Sequence, residues 1–216
     1  MDALGSLGLK GWTVYKGCGW LLLFIGIALL VACNGDDISS LPEAVGGLDS
    51  KNPANATFDT GTNGGWSVTG LWHVSTQRSS SPPYAMWYGQ EGIGTFNTGG
   101  TNSGTLQNTV NLTGITQLVF NYYLDNECLE NAGSPTCTAD ALKPQISTDG
   151  GATWSDLLPP PGELPETFPP GAWLPVSIDL SAYTNTMVQI RFSFDTVDSV
   201  YNDYEGAFVD NIFFIP

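Results

Sequence analysis

Met187-Val-Gln-Ile-Arg-Phe-Ser-Phe-Asp195 alternates without a slip: Val188, Ile190, Phe192 and Phe194 point one way, and Gln189, Arg191, Ser193 and Asp195 the other. Successive side chains of a strand leave opposite faces, so the nonapeptide reads as a β-strand with one dry and one wet face. Residues 118–124 (LVFNYYL) and 175–180 (PVSIDL) behave similarly, and less regular candidates lie at 71–76, 85–89, 105–112, 141–148 and 206–215. No helical period of useful length occurs after residue 56. The 26 Gly and 14 Pro supply turns between the runs. About ten half-wet strands need two inner faces to bury against each other, which favours two packed sheets over a small barrel. The expectation is therefore all-β, a jelly-roll-like antiparallel sandwich over 56–216. Residues 157–171 hold six prolines and do not alternate, so they read as an exposed connection. No repeat of fixed length is present, which argues against a propeller or solenoid.

Residues 1–33 differ in kind from the rest. Lys10 and Lys16 precede Trp20-Leu-Leu-Leu-Phe-Ile-Gly-Ile-Ala-Leu-Leu-Val31, followed by Ala32 and Cys33. A cationic start and a short apolar run describe an export signal, and the run is too short for a convincing membrane span. Leu30-Val31-Ala32-Cys33 resembles the lipobox of bacterial lipoproteins. The resemblance implies that 1–32 is a signal peptide and that Cys33 is the lipidated first residue of the mature chain, making the membrane a partner. Asn34 rather than Asp after the cysteine weakly favours the outer membrane. The polar stretch 33–55 then reads as a flexible tether. Of the four cysteines, Cys18 leaves with the signal and Cys33 takes the lipid. Cys128 and Cys137 are left to form a disulfide, which an exported protein can keep. The loop it closes is short, and its contribution is about 2–3 kcal/mol in the chain-entropy model.

The chain carries 6 Lys+Arg against 21 Asp+Glu, for a net charge of −15. Six cations cannot build the positive stripe that a phosphate backbone needs, so nucleic acid is excluded as a partner. One histidine rules out a multi-histidine metal centre. His73, alternating between Trp72 and Val74, has no nucleophile-elbow sequence to serve, so a Ser-His-Asp enzyme is not expected.

Several phrases, taken in order, resemble the jelly-roll domains of MAM-like and choice-of-anchor bacterial surface proteins and the accessory domains of immune-inhibitor-A-type peptidases. They are Phe58-Asp59, Gly65-Trp66, Leu71-Trp72-His73, Ala85-Met-Trp-Tyr-Gly89, Leu118-Val-Phe-Asn-Tyr-Tyr123, Glu127, Asp140, Ser147-Thr-Asp-Gly-Gly-Ala-Thr-Trp154 and Gly206-Ala-Phe-Val-Asp-Asn-Ile212. The resemblance implies that Asp59 and Asp210 come together at a calcium site. Glu127 and Asp140 match a second acidic pair of the motif, which could equally be solvated loop carboxylates. The metalloprotease helix motif of the peptidases is missing, so the chain resembles the accessory part without the engine. Ser147–Trp154 also fits the Asp-box pattern of sialidases, a hairpin turn that occurs here once and is read as structural. Trp173, Tyr201 and Tyr204 lie in loops rich in Asp, Pro and Asn and are the candidate exposed rings for a ligand, since flat aromatic faces beside polar groups suit sugars.

These readings converge on a non-catalytic cell-surface lipoprotein, stabilised by Ca2+, that binds glycan or protein outside the cell. A small glycoside hydrolase using a carboxylate pair and a purely structural module remain as alternatives.

Overall fold

The structure, a computed structural model, describes residues 52–127 and 140–216. Among the described residues there are ten strands: β1 (Ser67–Val68), β2 (Trp72–Ser75), β3 (Ala85–Tyr88), β4 (Ser103–Asn111), β5 (Gln117–Asp125), β6 (Ala141–Ser147), β7 (Ser155–Asp156), β8 (Leu174–Asp179), β9 (Met187–Asp195) and β10 (Gly206–Ile215). They form two five-stranded antiparallel sheets, ordered β1-β4-β9-β6-β7 and β2-β3-β10-β5-β8. This is the expected β-sandwich, and β9 and β10 have the bounds read from alternation. β1 and β7 escaped that reading because two residues cannot display a period of two.

The dry face of β9 meets the dry face of β5. Phe192 lies 4.8 Å edge-on from Phe120 and 5.9 Å from Trp66, while Phe194 lies 4.5 Å from Tyr88 and 5.2 Å from Phe96. All six rings are buried. The N-terminal edge joins the core earlier than expected. Asn52 and Ala54 are already buried, and Ala56 bridges Ile212 through a pair of backbone hydrogen bonds of 2.9 and 2.8 Å.

Residues 157–171 are not the wholly exposed connection that their prolines suggested. Leu164 is buried in the core and its amide donates to Leu142 O of β6, whereas the Thr167 amide donates to Leu124 O of β5. Tyr122 Oη adds a 2.9 Å bond to Pro165 O. The segment thus crosses from the first sheet to the second and covers that side of the core. Proline removes amide donors but leaves the carbonyls and the intervening amides to pair.

The turn after β6 behaves as its sequence requires. Gly150 and Gly151 take φ of +75° and +92°, and Asp149 accepts from Ser147 Oγ, Thr153 N and Thr153 Oγ1. These donors hold the Asp149 carboxyl well below the usual carboxylate range. Cys33 and the Cys128–Cys137 pair lie outside the described residues.

Candidate functional site

The wet face of β9 builds a cleft. Register places Arg191 opposite Gln145, Ser193 opposite Lys143 and Asp195 opposite Ala141 of β6. Glu163, from the proline-rich segment, and Val197 close the sides, giving a hollow of about 280 Å³. Its polar groups are fixed before any ligand arrives. Arg191 Nε donates to Gln145 Oε1 at 2.7 Å, with its guanidinium 4.0 Å above the Trp154 ring. Lys143 Nζ lies 3.2 Å from Glu163 and donates to Pro161 O at 3.3 Å. Two of the three described cations, Lys143 and Arg191, therefore stand in one hollow of a strongly acidic chain. A floor of amide, hydroxyl, cation and carboxylate groups, side by side on two rigid strands, can exchange hydrogen bonds with the vicinal hydroxyls of a sugar.

The outer face of the second sheet carries a row of rings. His73, Trp87, Phe208 and Tyr123 occupy facing positions on β2, β3, β10 and β5. Trp173, just before β8, continues the row, 6.4 Å from Tyr123 and 6.3 Å from Phe208. At a strand spacing of about 4.8 Å the row spans about 19 Å. Trp87, Phe208 and Tyr123 are nonetheless buried. Trp87 Nε1 donates to Glu205 O at 2.7 Å, and Arg78, held by Glu205 at 2.6 Å, lies 4.3 Å over the Tyr123 ring. Burial and the nearby carboxylates push the Tyr123 hydroxyl up to about 12.

This placement separates the three rings expected to meet a ligand. Trp173 is half-buried at one end of the row, and Tyr204 is half-buried against the main core. Only Tyr201 is freely exposed, at 65%. The Asp- and Asn-rich loop context suggested exposure for Tyr204, but its ring packs against the main core and its carbonyl accepts from Phe96 N.

Asp59 and Asp210 do converge. Ser81 Oγ lies 3.2 Å from Asp59 Oδ1, 3.4 and 3.3 Å from the two Asp210 oxygens, and 2.9 Å from Asn211 Oδ1. A hydroxyl has one proton, so it can donate to only one of these four acceptors and the rest are crowded oxygens. Asp210 is fully buried, and its carboxylate accepts the amides of Ser80 and Ser81, both at 2.8 Å, and of Asn211 at 2.7 Å. Burial still pushes it up to about 6, with Asp59 adding to the rise. Among the described residues, no three His, Cys, Asp or Glu side chains are grouped to hold a metal. Two carboxylates, an amide oxygen and a hydroxyl are nevertheless the hard donors that calcium accepts, and zinc would want nitrogen or sulfur.

The only histidine does not assemble a triad. His73 Nδ1 donates to Leu71 O at 2.8 Å and Nε2 lies 3.3 Å from Glu91 Oε1, the same oxygen that accepts from Ser75 Oγ at 2.6 Å. Glutamate therefore stands between serine and histidine, where histidine would have to be. In the cleft, Glu163 is paired with Lys143 and Asp195 accepts the Val197 amide at 2.9 Å. Neither is the unpaired acid that protonates a leaving group.

No family model matches the chain, and no curated protein matches it, so the MAM-like reading rests on the quoted phrases alone. Solved structures with a similar strand arrangement include carbohydrate-binding modules. One is TmCBM61 in complex with β-1,4-galactotriose, with 18% identity, 77% of this chain and 99% of that chain covered, and a TM-score of 0.47. Another is the CBM22-1 xylan-binding domain of Paenibacillus barcinonensis Xyn10C, at 10% identity, 76% and 94% covered and a TM-score of 0.44. The K2 cleaved adhesin domain of Lys-gingipain aligns at 15% identity, over 75% of this chain and 97% of that one, with a TM-score of 0.49. At these values the likeness goes no further than a β-sandwich.

Proposed function

We propose that this chain is an exported, non-catalytic module, tethered to a bacterial membrane through Cys33, that holds glycan in the polar cleft of its first sheet. The observation that carries the reading is the cleft itself, an accessible hollow whose charged and amide side chains are locked by one another on adjacent strands. Rigid groups lose little freedom when a ligand binds, which suits a neutral, well-hydrated partner such as a sugar chain. The buried rings of the second sheet favour a structural role for that face. A panel of bacterial and plant glycans probed with the full chain tests the proposal. Ser193→Tyr fills the hollow from its floor, and we expect binding to fall at least tenfold with the melting temperature little changed. Binding that survives Ser193→Tyr but is abolished by Trp173→Ala would move the site to the other sheet.

Calcium belongs to the same reading as a brace. Asp59, Asp210, Asn211 and Ser81 would hold it, and its charge would offset the crowding of their oxygens. It would tie the segment before β1 to the bulge in β10 between Asp210 and Phe213. At a concentration about a hundredfold above its dissociation constant, such an ion adds about 2.7 kcal/mol, or about 5–10 °C in a domain of this size. Chelation is expected to lower the melting temperature by that amount, and Asp210→Asn to reproduce most of the loss. An unmoved transition in both experiments removes calcium from this site.

A further inference from the structure

Asp140 immediately precedes β6, is 1% exposed, and neither of its carboxylate oxygens has a hydrogen-bond partner on another described residue. The charges that act on it most strongly are all negative, namely Glu127, Asp198 and Asp195. Glu127 is buried too. Asn202, on the loop after β9, is 2% exposed with its Oδ1 unpartnered, while its Nδ2 donates to Asp198 O at 3.4 Å. The same Asp198 carbonyl accepts from Thr196 Oγ1 at 3.0 Å, and Asn126 Nδ2 donates to Asp140 O at 2.6 Å. This end of the sandwich thus holds two buried carboxylates, Asp140 and Glu127, and the buried amide oxygen of Asn202, with the exposed Asp195 and Asp198 beside them, and among the described residues no cationic side chain is paired with Asp140.

A buried carboxylate without a partner is costly, and it has three ways out. Protonation is favoured by the surroundings, since burial and Glu127 push the carboxyl up to about 8. It does not complete the site: one O–H can donate to a single neighbouring acceptor and supplies nothing to the other Asp140 oxygen or to Asn202 Oδ1, which are acceptors themselves. A buried water could satisfy the hydrogen bonds but would leave the repulsion among the carboxylates untouched. A hard divalent cation satisfies both oxygens and offsets the negative charge together, and it accepts amide and carbonyl oxygens beside carboxylates.

We propose that Asp140, Glu127 and Asn202 form a second calcium-type site, separate from the Asp59–Asp210 cluster and independent of it. Asp210 faces Asn121 on β5, and Glu127 lies six residues further along the chain, which puts the two sites roughly 20 Å apart.

The test is calorimetric titration of the full chain, stripped with chelator, with Ca2+ alone. Two equivalents are expected for the unaltered chain. Asp140→Asn is expected to remove one of them, and Asn202→Ala to weaken that same one at least tenfold. A chain that binds as many calcium ions after Asp140→Asn as before, with the same calcium-induced rise in melting temperature, overturns the proposal and leaves a proton or a water at Asp140. If Asp140→Asn fails to fold, Asn202→Ala decides, and two unchanged equivalents in it overturn the proposal equally. Asp210→Asn separates the two sites: a single equivalent lost with Asp140→Asn and kept in Asp210→Asn supports the second site even if the first is absent.

Discussion

Phe192→Ala is expected to lower the free energy of unfolding by about 3–5 kcal/mol. Phe192 is fully buried at the centre of β9, with Phe120 of the opposite sheet edge-on at 4.8 Å and Trp66 at 5.9 Å. Truncation removes the apolar area of the ring and leaves a void between the sheets. β4 and β6 flank β9 on both sides, so the backbone has little freedom to collapse into it. Chemical denaturation should show a lower midpoint at an unchanged slope. The conservative Phe192→Leu should lose much less, because most of the volume stays. A loss below about 1 kcal/mol in the alanine variant would mean that the two sheets do not meet at this residue.

Alkaline pH is expected to unfold the domain through its buried tyrosines. Burial pushes the hydroxyl of Tyr122 up to about 12, and burial with Asp125 beside it does the same for Tyr123. Tyr88 moves in the same direction, chiefly through burial. Each folded-state value lies above the unfolded value of about 10, so the folded chain keeps protons that the unfolded chain releases. The associated stability is complete below pH 10 and is lost as pH rises from about 10 towards 12. Each pH unit of that difference is worth about 1.4 kcal/mol before solvent screening, so the two hydroxyls together contribute on the order of a few kcal/mol. Phenolate absorbance followed against pH should show these tyrosines titrating with the loss of near-ultraviolet circular dichroism. Full phenolate formation with the fold intact would show that they are open to solvent.

The strands were legible in the sequence where alternation was long. β9 could be bounded to the residue, because Val188-Gln-Ile-Arg-Phe-Ser-Phe194 leaves no second register. β10 was read with the right bounds, but its alternation is broken by the bulge between Asp210 and Phe213. The cleft was not legible, although it lies on the wet face of the same strand. Which polar side chains converge depends on β6 pairing with β9, and on the proline-rich segment swinging Glu163 against Lys143. Neither fact is local. The one available signal was the polar alternation of Lys143-Pro-Gln145 and Arg191-Phe-Ser-Phe-Asp195, which marks a face but not its neighbour. The aromatic row failed for a related reason. Alternation sends Trp87, Tyr123 and Phe208 out of the core, and only the tertiary path of Arg78, Glu205 and Trp173 covers them again. Asp59 and Asp210 sit at opposite ends of the domain sequence, so their meeting at Ser81 came from the family resemblance and not from spacing. The loops rich in Asp and Asn drew attention to Tyr201 and Tyr204, of which only Tyr201 is exposed. Asp140 was marked, with Glu127, only by the family resemblance, and Asn202 had no local mark beyond being polar.

Glycan binding in the cleft is tested most sharply on the two arginines of the chain, Arg191 on β9 of the first sheet and Arg78 on the loop between β2 and β3, over the aromatic row of the second. A nitrogen–proton spectrum of their side chains contains two Nε signals, which Arg78→Lys assigns. On addition of a glycan that the panel finds to bind, a dose-dependent shift of the Arg191 signal is expected while that of Arg78 stays in place. A shift of Arg78 with Arg191 unmoved would contradict binding in the cleft, and would put the ligand on the aromatic row of the second sheet.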